Sequence, residues 1–63
     1  MTDQQIITQA YEEKVKLLFS TFFDAWSLAK DADEKTKSEQ RFQRGIQLAR
    51  QARDRAIAIL PPA

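Results

Sequence analysis

The chain has 63 residues, of which 43% are hydrophobic and 30% charged, with a formal net charge of +1 and neither cysteine nor histidine. This composition excludes a disulfide framework, a zinc finger, a His-ligated metal site and a nucleophilic triad with a histidine base. A chain this short holds one domain at most, and one small core stabilises a fold only weakly. We therefore expect a single domain over residues 1–63 that gains stability by self-association.

The first half of the chain predicts one amphipathic helix over about residues 3–30. Thr2 or Asp3 can cap its N-terminus, and Gln5 completes a capping-box pattern with Thr2. The apolar residues recur at alternating intervals of three and four, which is the spacing of one helical face. The residues on this face are Ile7, Tyr11, Val15, Leu18, Phe22, Ala25 and Ala29.

The segment between the two halves is polar apart from Ala32, and two interpretations of it compete. Either residues 31–33 form a tight turn between two helices, or one helix runs through most of the chain. At about 100° per residue, the apolar stripes of the two halves differ in phase by more than a quarter turn, so a single straight helix would bury them on different sides. We favour an all-α antiparallel hairpin with Asp31 or Asp33 as the second N-cap.

The second helix is expected over about residues 34–60. It should end before Pro61, because a residue that precedes proline is held out of the helical region. Its predicted inner face carries mainly small side chains. The residues of this face are Ser38, Phe42, Gly45, Ala49, Ala52, Ala56 and Ile59, with Ile46, Leu48, Ile57 and Leu60 on the flanks. Gly45 costs about 1 kcal/mol relative to alanine within a helix. It therefore indicates close approach of a neighbouring backbone, or of a Phe or Trp from the first helix, unless it is simply tolerated.

The first helix is too apolar for one neighbour. Its apolar side chains span an arc of roughly 240°, whereas one partner helix covers about 100–140°. A lone hairpin would leave large apolar side chains in water, so we expect a homodimer that closes a four-helix bundle. The same stripes fit a bundle with its turns at one end or at opposite ends. The expected interface residues are Tyr11, Leu18, Phe19, Phe22, Phe23 and Trp26.

Lys14 is the one charge inside this apolar arc. Its stem can pack while the ammonium reaches the edge of the bundle. Alternatively, it pairs with a carboxylate and fixes the register of the helices.

No residue pattern predicts catalysis. Glu12, Glu13 and Asp24 fall on the polar arc of the first helix, whereas a carboxylate metal site in a bundle uses inward acids together with Glu-x-x-His motifs. Phosphate loops need several glycines, and the chain has one. We expect a chain that is not an enzyme and that has no cofactor, metal or small-molecule substrate.

The near-neutral net charge conceals two unequal halves. Residues 1–33 hold three Lys against six acids, a net charge of −3, and residues 34–63 hold seven Lys or Arg against three acids, a net charge of +4. The second helix carries a basic edge formed by Lys37, Arg41, Arg44 and Arg55. This edge either complements the acidic first helix in a solvated surface or contacts the phosphates of a nucleic acid.

The location is expected to be cytoplasmic. No uncharged apolar stretch approaches the roughly 20 residues of a membrane span, and Met1-Thr2-Asp3 lacks the basic region of a secretory signal. We expect no membrane contact.

The turn segment Asp31-Ala32-Asp33-Glu34, between two long helices in a chain of this length, resembles that of the Rop family of plasmid copy-number regulators. The resemblance implies a dimeric four-helix bundle that binds the paired loops of two complementary RNAs, mainly through the first helix. The polar face of that helix is acidic here, and its only cations are Lys16 and Lys30. No binding residue is therefore carried over.

These observations favour a small interaction or regulatory module that acts as a homodimer through protein–protein contacts, with itself and with another protein. The alternative is a Rop-like RNA-binding bundle that uses the basic edge.

Overall fold

The structure, a computed structural model, describes residues 1–62; Ala63 lies outside the described part. It consists of two antiparallel helices, α1 (Asp3–Leu28) and α2 (Ala32–Ala58), joined by residues 29–31. No strand occurs within residues 1–62. The prediction of an all-α helical hairpin is confirmed.

The start of α1 follows the predicted capping box. The backbone N–H of Gln5 donates to Thr2 Oγ1 at 3.2 Å, and the backbone N–H of Thr2 donates to Gln5 Oε1 at 2.9 Å. Thr2 is extended and is the N-cap. Two backbone donors that a helix start leaves without intrahelical acceptors are thus satisfied by side chains.

The turn between the helices is built around two acidic side chains. The carboxylate of Asp31, the N-cap of α2, accepts from the Glu34 N–H at 2.9 Å, and the Glu34 carboxylate accepts from the Lys30 N–H at 2.8 Å. Ala29 is already extended, so α1 ends two residues before the expected Lys30. The side-chain bond to the Lys30 N–H replaces a helical one, which allows the chain to turn there.

The second helix begins at Ala32, two residues before the expected start, because Asp31 is its cap and Asp33 lies within its first turn. At the other end, Ala58 is the last helical residue and Ile59 the C-cap. The helix therefore ends two residues before the expected end near residue 60, and Pro61 follows shortly after the cap.

The two helices meet along the apolar face predicted for α1. All seven of its residues are half-buried. Phe22 stacks on Phe42 with ring centres 4.9 Å apart. On α2, however, Ala52 and Ile59 of the predicted inner face are exposed, whereas Ile46 and Ile57, expected on its flank, are half-buried. The corrected contact face of α2 is therefore rotated away from Ala52 and toward Ile46 and Ile57, because exchanging the single methyl of Ala52 for two larger side chains buries more apolar area. Ile59 is the C-cap and lies beyond the last helical residue.

The hairpin is a single layer of helices. Its Cα extents are 51 × 17 × 7 Å, and no hydrophobic side chain among residues 1–62 is buried. The one buried residue of this part is Ser38, 6% exposed, whose hydroxyl donates to the Glu34 carbonyl at 3.0 Å. Neither described helix is long and apolar enough to cross a membrane.

The turn gives a direct test of which aspartate caps α2. Asp31→Ala should lower the free energy of unfolding by about 1 kcal/mol, because it removes the N-cap acceptor. Asp33→Ala, the matched control, removes an exposed pair with Lys37 at 3.3 Å and one first-turn carboxylate near the helix N-terminus, and should cost about 0.5 kcal/mol. Urea unfolding followed by circular dichroism measures both, and a larger loss for Asp33→Ala would contradict this turn.

Candidate functional site

One side of the hairpin carries an apolar groove of about 590 Å³ between the helices. We call this side the groove face. Its lining is almost entirely alkyl, and includes Ile7, Ala10 and Leu18 of α1 with Gly45, Ala49 and Ala52 of α2. The groove exists because α2 contributes small side chains where α1 contributes large ones. It is a long, open trough suited to another apolar helix surface.

Gly45 permits the close approach that shapes the groove. A Cβ atom added there would lie 2.7 Å from Leu18 Cδ2. The sequence predicted close approach at Gly45, but by a backbone or by a Phe or Trp. The neighbour is instead the Leu18 side chain, because Phe22, one turn further along α1, is engaged by Phe42.

Two cations border the groove. The Arg53 guanidinium carbon lies 4.5 Å from the centre of the Tyr11 ring, and Arg53 Nε donates to Asp54 Oδ1 at 3.0 Å. Lys14 also lines the groove but takes part in none of the three ion pairs found within residues 1–62. Its placement agrees with a packed stem and gives no support, within this hairpin, to a register-fixing pair.

The opposite side of the hairpin carries an aromatic stripe of Phe19, Phe23 and Trp26, and we call it the aromatic face. At about 100° per residue, Phe19 points directly away from Ala10 of the groove. The Phe19 and Phe23 rings are 6.2 Å apart, and Phe23 is 57% exposed. The six expected interface residues are therefore divided: Tyr11, Leu18 and Phe22 lie half-buried between the helices, and the other three form this stripe.

Trp26 is held by two charged residues that the sequence analysis did not single out. Lys35 Nζ lies 3.6 Å from the centre of the Trp26 ring, and the Trp26 indole N–H donates to Glu39 Oε2 at 3.1 Å. Charged groups thus cover part of the aromatic face. Lys35 and Glu39 lie nine and thirteen positions after Trp26 in the sequence, so no helical periodicity links them to it. Only an alignment of the two helices by height across the turn could have found these contacts.

The basic edge lies along the groove side of α2. Lys37 Nζ is 3.3 Å from Asp33 Oδ2, and Arg41 lies beside Ala25 and Ser38 at the end of the groove nearer the turn. Arg44 and Arg55 are exposed. At about 100° per residue, the four predicted cations share one side of α2, and Arg41 lines a smaller pocket that shares Leu18 with the groove.

Among residues 1–62 there is no group of three or more acidic, His or Cys side chains that could hold a metal ion. Comparisons with protein-family models, with curated proteins and with solved structures find no match to this chain. These comparisons neither support nor oppose the resemblance of the turn segment, the two long helices and the chain length to the Rop family. Function has to be argued from the two faces of the hairpin.

The packing at Phe22 and Phe23 predicts unequal roles for adjacent phenylalanines. Phe22→Ala removes the ring that stacks on Phe42 and should lower the free energy of unfolding by roughly 2 kcal/mol. Phe23→Ala, the matched control on the exposed stripe, should cost about 0.5 kcal/mol or less. Denaturant titration compares the two variants, and equal losses would show that Phe23 is buried in a contact absent from this hairpin.

Proposed function

We propose that this chain is a non-enzymatic helical interaction module that acts as a homodimer, with the groove face of one copy packed on that of a second. The observation that carries the proposal is the missing core. A chain whose described hydrophobic residues are all at least partly exposed has not completed the burial that stabilises a fold.

The accessible surface area of the hairpin indicates how large an area a partner would cover. The hairpin exposes 5251 Å², whereas a folded monomer of its mass exposes about 4,200 Å². The excess is roughly 1,000 Å², and a standard protein interface buries about 800 Å² on each partner. One second copy would remove an area of this order.

The shape of the groove face suits a copy of itself. Leu17 and Leu28 of α1 are 63% and 79% exposed on this side, while α2 offers Gly45 and Ala52. A two-fold contact presents the same patch on both copies, so large side chains of one can enter the trough of the other. The result is a four-helix bundle in which each helix gains a second neighbour.

The proposed role is molecular contact without chemistry on a substrate. The groove lining offers alkyl groups together with the Tyr11 ring and the cations Lys14 and Arg53. Such a lining suits the packing of one helix on another, because the side chains of a second helix can fill the trough by van der Waals contact. Phe19 and Phe23 stay outside this dimer, on the opposite side of each hairpin.

The second candidate, nucleic-acid binding, draws on the basic edge. Lys37 is already paired with Asp33, and Arg41 borders the groove, which leaves Arg44 and Arg55 for phosphates. Few phosphate contacts give a small counterion-release contribution to affinity, so this function ranks below self-association. It predicts an RNA mobility shift at low salt that disappears with Arg44→Gln and Arg55→Gln.

Self-association through the groove is tested by adding one lysine inside or outside it. Ala10→Lys places a second ammonium one helical turn from Lys14 in the groove lining and should weaken the dimer at least about tenfold, because two like charges would be brought together inside the contact. Ala58→Lys adds the same charge to the outer surface of α2 and should leave the dimer unchanged. Sedimentation equilibrium measures the dissociation constant. A folded wild-type monomer at micromolar concentration would contradict the proposal.

A further inference from the structure

We infer, resting on the dimer proposed above, that α1 of each copy lies antiparallel on α2 of the other, with Asp24 facing Arg41 of the second copy and both turns at the same end of the bundle. The inference adds the orientation of the two copies and names an intermolecular ion pair. It rests on charge, height along the hairpin and side-chain size.

Two hairpins can stack on their groove faces with two-fold symmetry in two ways. An axis parallel to the helices places α1 over α2 of the other copy and keeps both turns at one end. An axis across the helices places α1 over α1 and α2 over α2, with the turns at opposite ends. Both orientations cover the same apolar trough, so burial of area does not distinguish them.

The helices have opposite net charge. α1 holds four acids against two Lys, a net charge of −2, and α2 holds seven cations against four acids, a net charge of +3. Stacking α1 on α2 brings opposite charges together, whereas stacking like on like opposes two cationic helices. Like-charge contacts between facing surfaces are unfavourable and select against that partner orientation.

Asp24 and Arg41 are one pair of opposite charges that the stacking of α1 on α2 brings together. The contacts of Phe22 with Phe42 and of Leu18 with Gly45 fix which residues share a height along the hairpin, and they place Asp24 level with Arg41. An axis parallel to the helices preserves height, so Asp24 of one copy comes to face Arg41 of the other. Both point toward the groove side by helical projection. Neither takes part in an ion pair within residues 1–62.

The other orientation reverses the heights. With the axis crossing the middle of α2 (Ala32–Ala58), Arg44 comes within about one helical turn of Arg44 of the second copy, and Arg55 within about one turn of Lys37, on facing basic edges. It also leaves Leu17 above α1 of the second copy rather than above the small side chains of α2, so that the trough is filled less well. Poor filling of that kind forfeits packing energy.

Charge reversal tests the ion pair. Asp24→Lys and Arg41→Glu should each weaken the dimer several-fold in sedimentation equilibrium, and the double variant should recover most of the loss, since the pair is restored with its signs exchanged. A double variant that dimerises no better than the weaker single variant would overturn the pair.

The orientation itself is measured by distances between spin labels, because the chain has no cysteine and any introduced one is unique. Lys30→Cys places a label in the turn. Gln47→Cys, the matched control, places one near the middle of the outer surface of α2, where a dimer of either orientation gives an intermolecular distance well below the 51 Å length of the hairpin.

We expect a turn-to-turn distance under about 30 Å, since packed helices lie about 8–10 Å apart. A turn-to-turn distance approaching the 51 Å length of the hairpin, with a short distance for the control label, would overturn the orientation and leave the dimer standing. The absence of an intermolecular distance for both labels would overturn the dimer as well.

Discussion

The exposure of the apolar side chains in this hairpin follows from the fact that each helix has only one neighbour. A layer 7 Å thick between Cα positions has two broad faces, so a residue between the helices is covered on one side and open above and below. Phe22, which stacks on Phe42, is accordingly only half-buried. Burial of apolar area is the main favourable contribution to folding, and in this chain a large share of it is available only from outside the hairpin.

The two helices contribute different kinds of side chain to the surface of the hairpin. α1 contributes the large side chains and the acids, and α2 contributes Gly45, a series of alanines and most of the cations. Because Leu18 sits against Gly45, the helices approach closely and leave a trough beside their contact. The asymmetry of size and the asymmetry of charge lie on the same pair of helices. A second copy turned so that α1 meets α2 pairs large side chains with small ones and acids with cations.

The two faces of the layer differ in how much they are already covered. On the aromatic face, Lys35 lies over Trp26 and Glu39 accepts its indole hydrogen, so charged groups shield part of the stripe. On the groove face, the trough is lined mainly by alkyl groups, with the Tyr11 ring and the cations Lys14 and Arg53 among them. This difference is why the groove face, rather than the phenylalanines that dominate the sequence, is proposed as the dimer contact.

The sequence by itself determined the inner face of α1 and the capping box at its start, and it narrowed the N-cap of α2 to Asp31 or Asp33, because these features depend on residues close together along one helix. The stripe from Ile7 to Ala29 and the Thr2 capping box follow from spacing alone. Only the tertiary structure decided the rotation of α2, which exposes Ala52 and Ile59, and the neighbour of Gly45. It also decided the shielding of Trp26. These features depend on how two helices are rotated and matched in height, and that choice is made by side-chain volumes meeting across the hairpin.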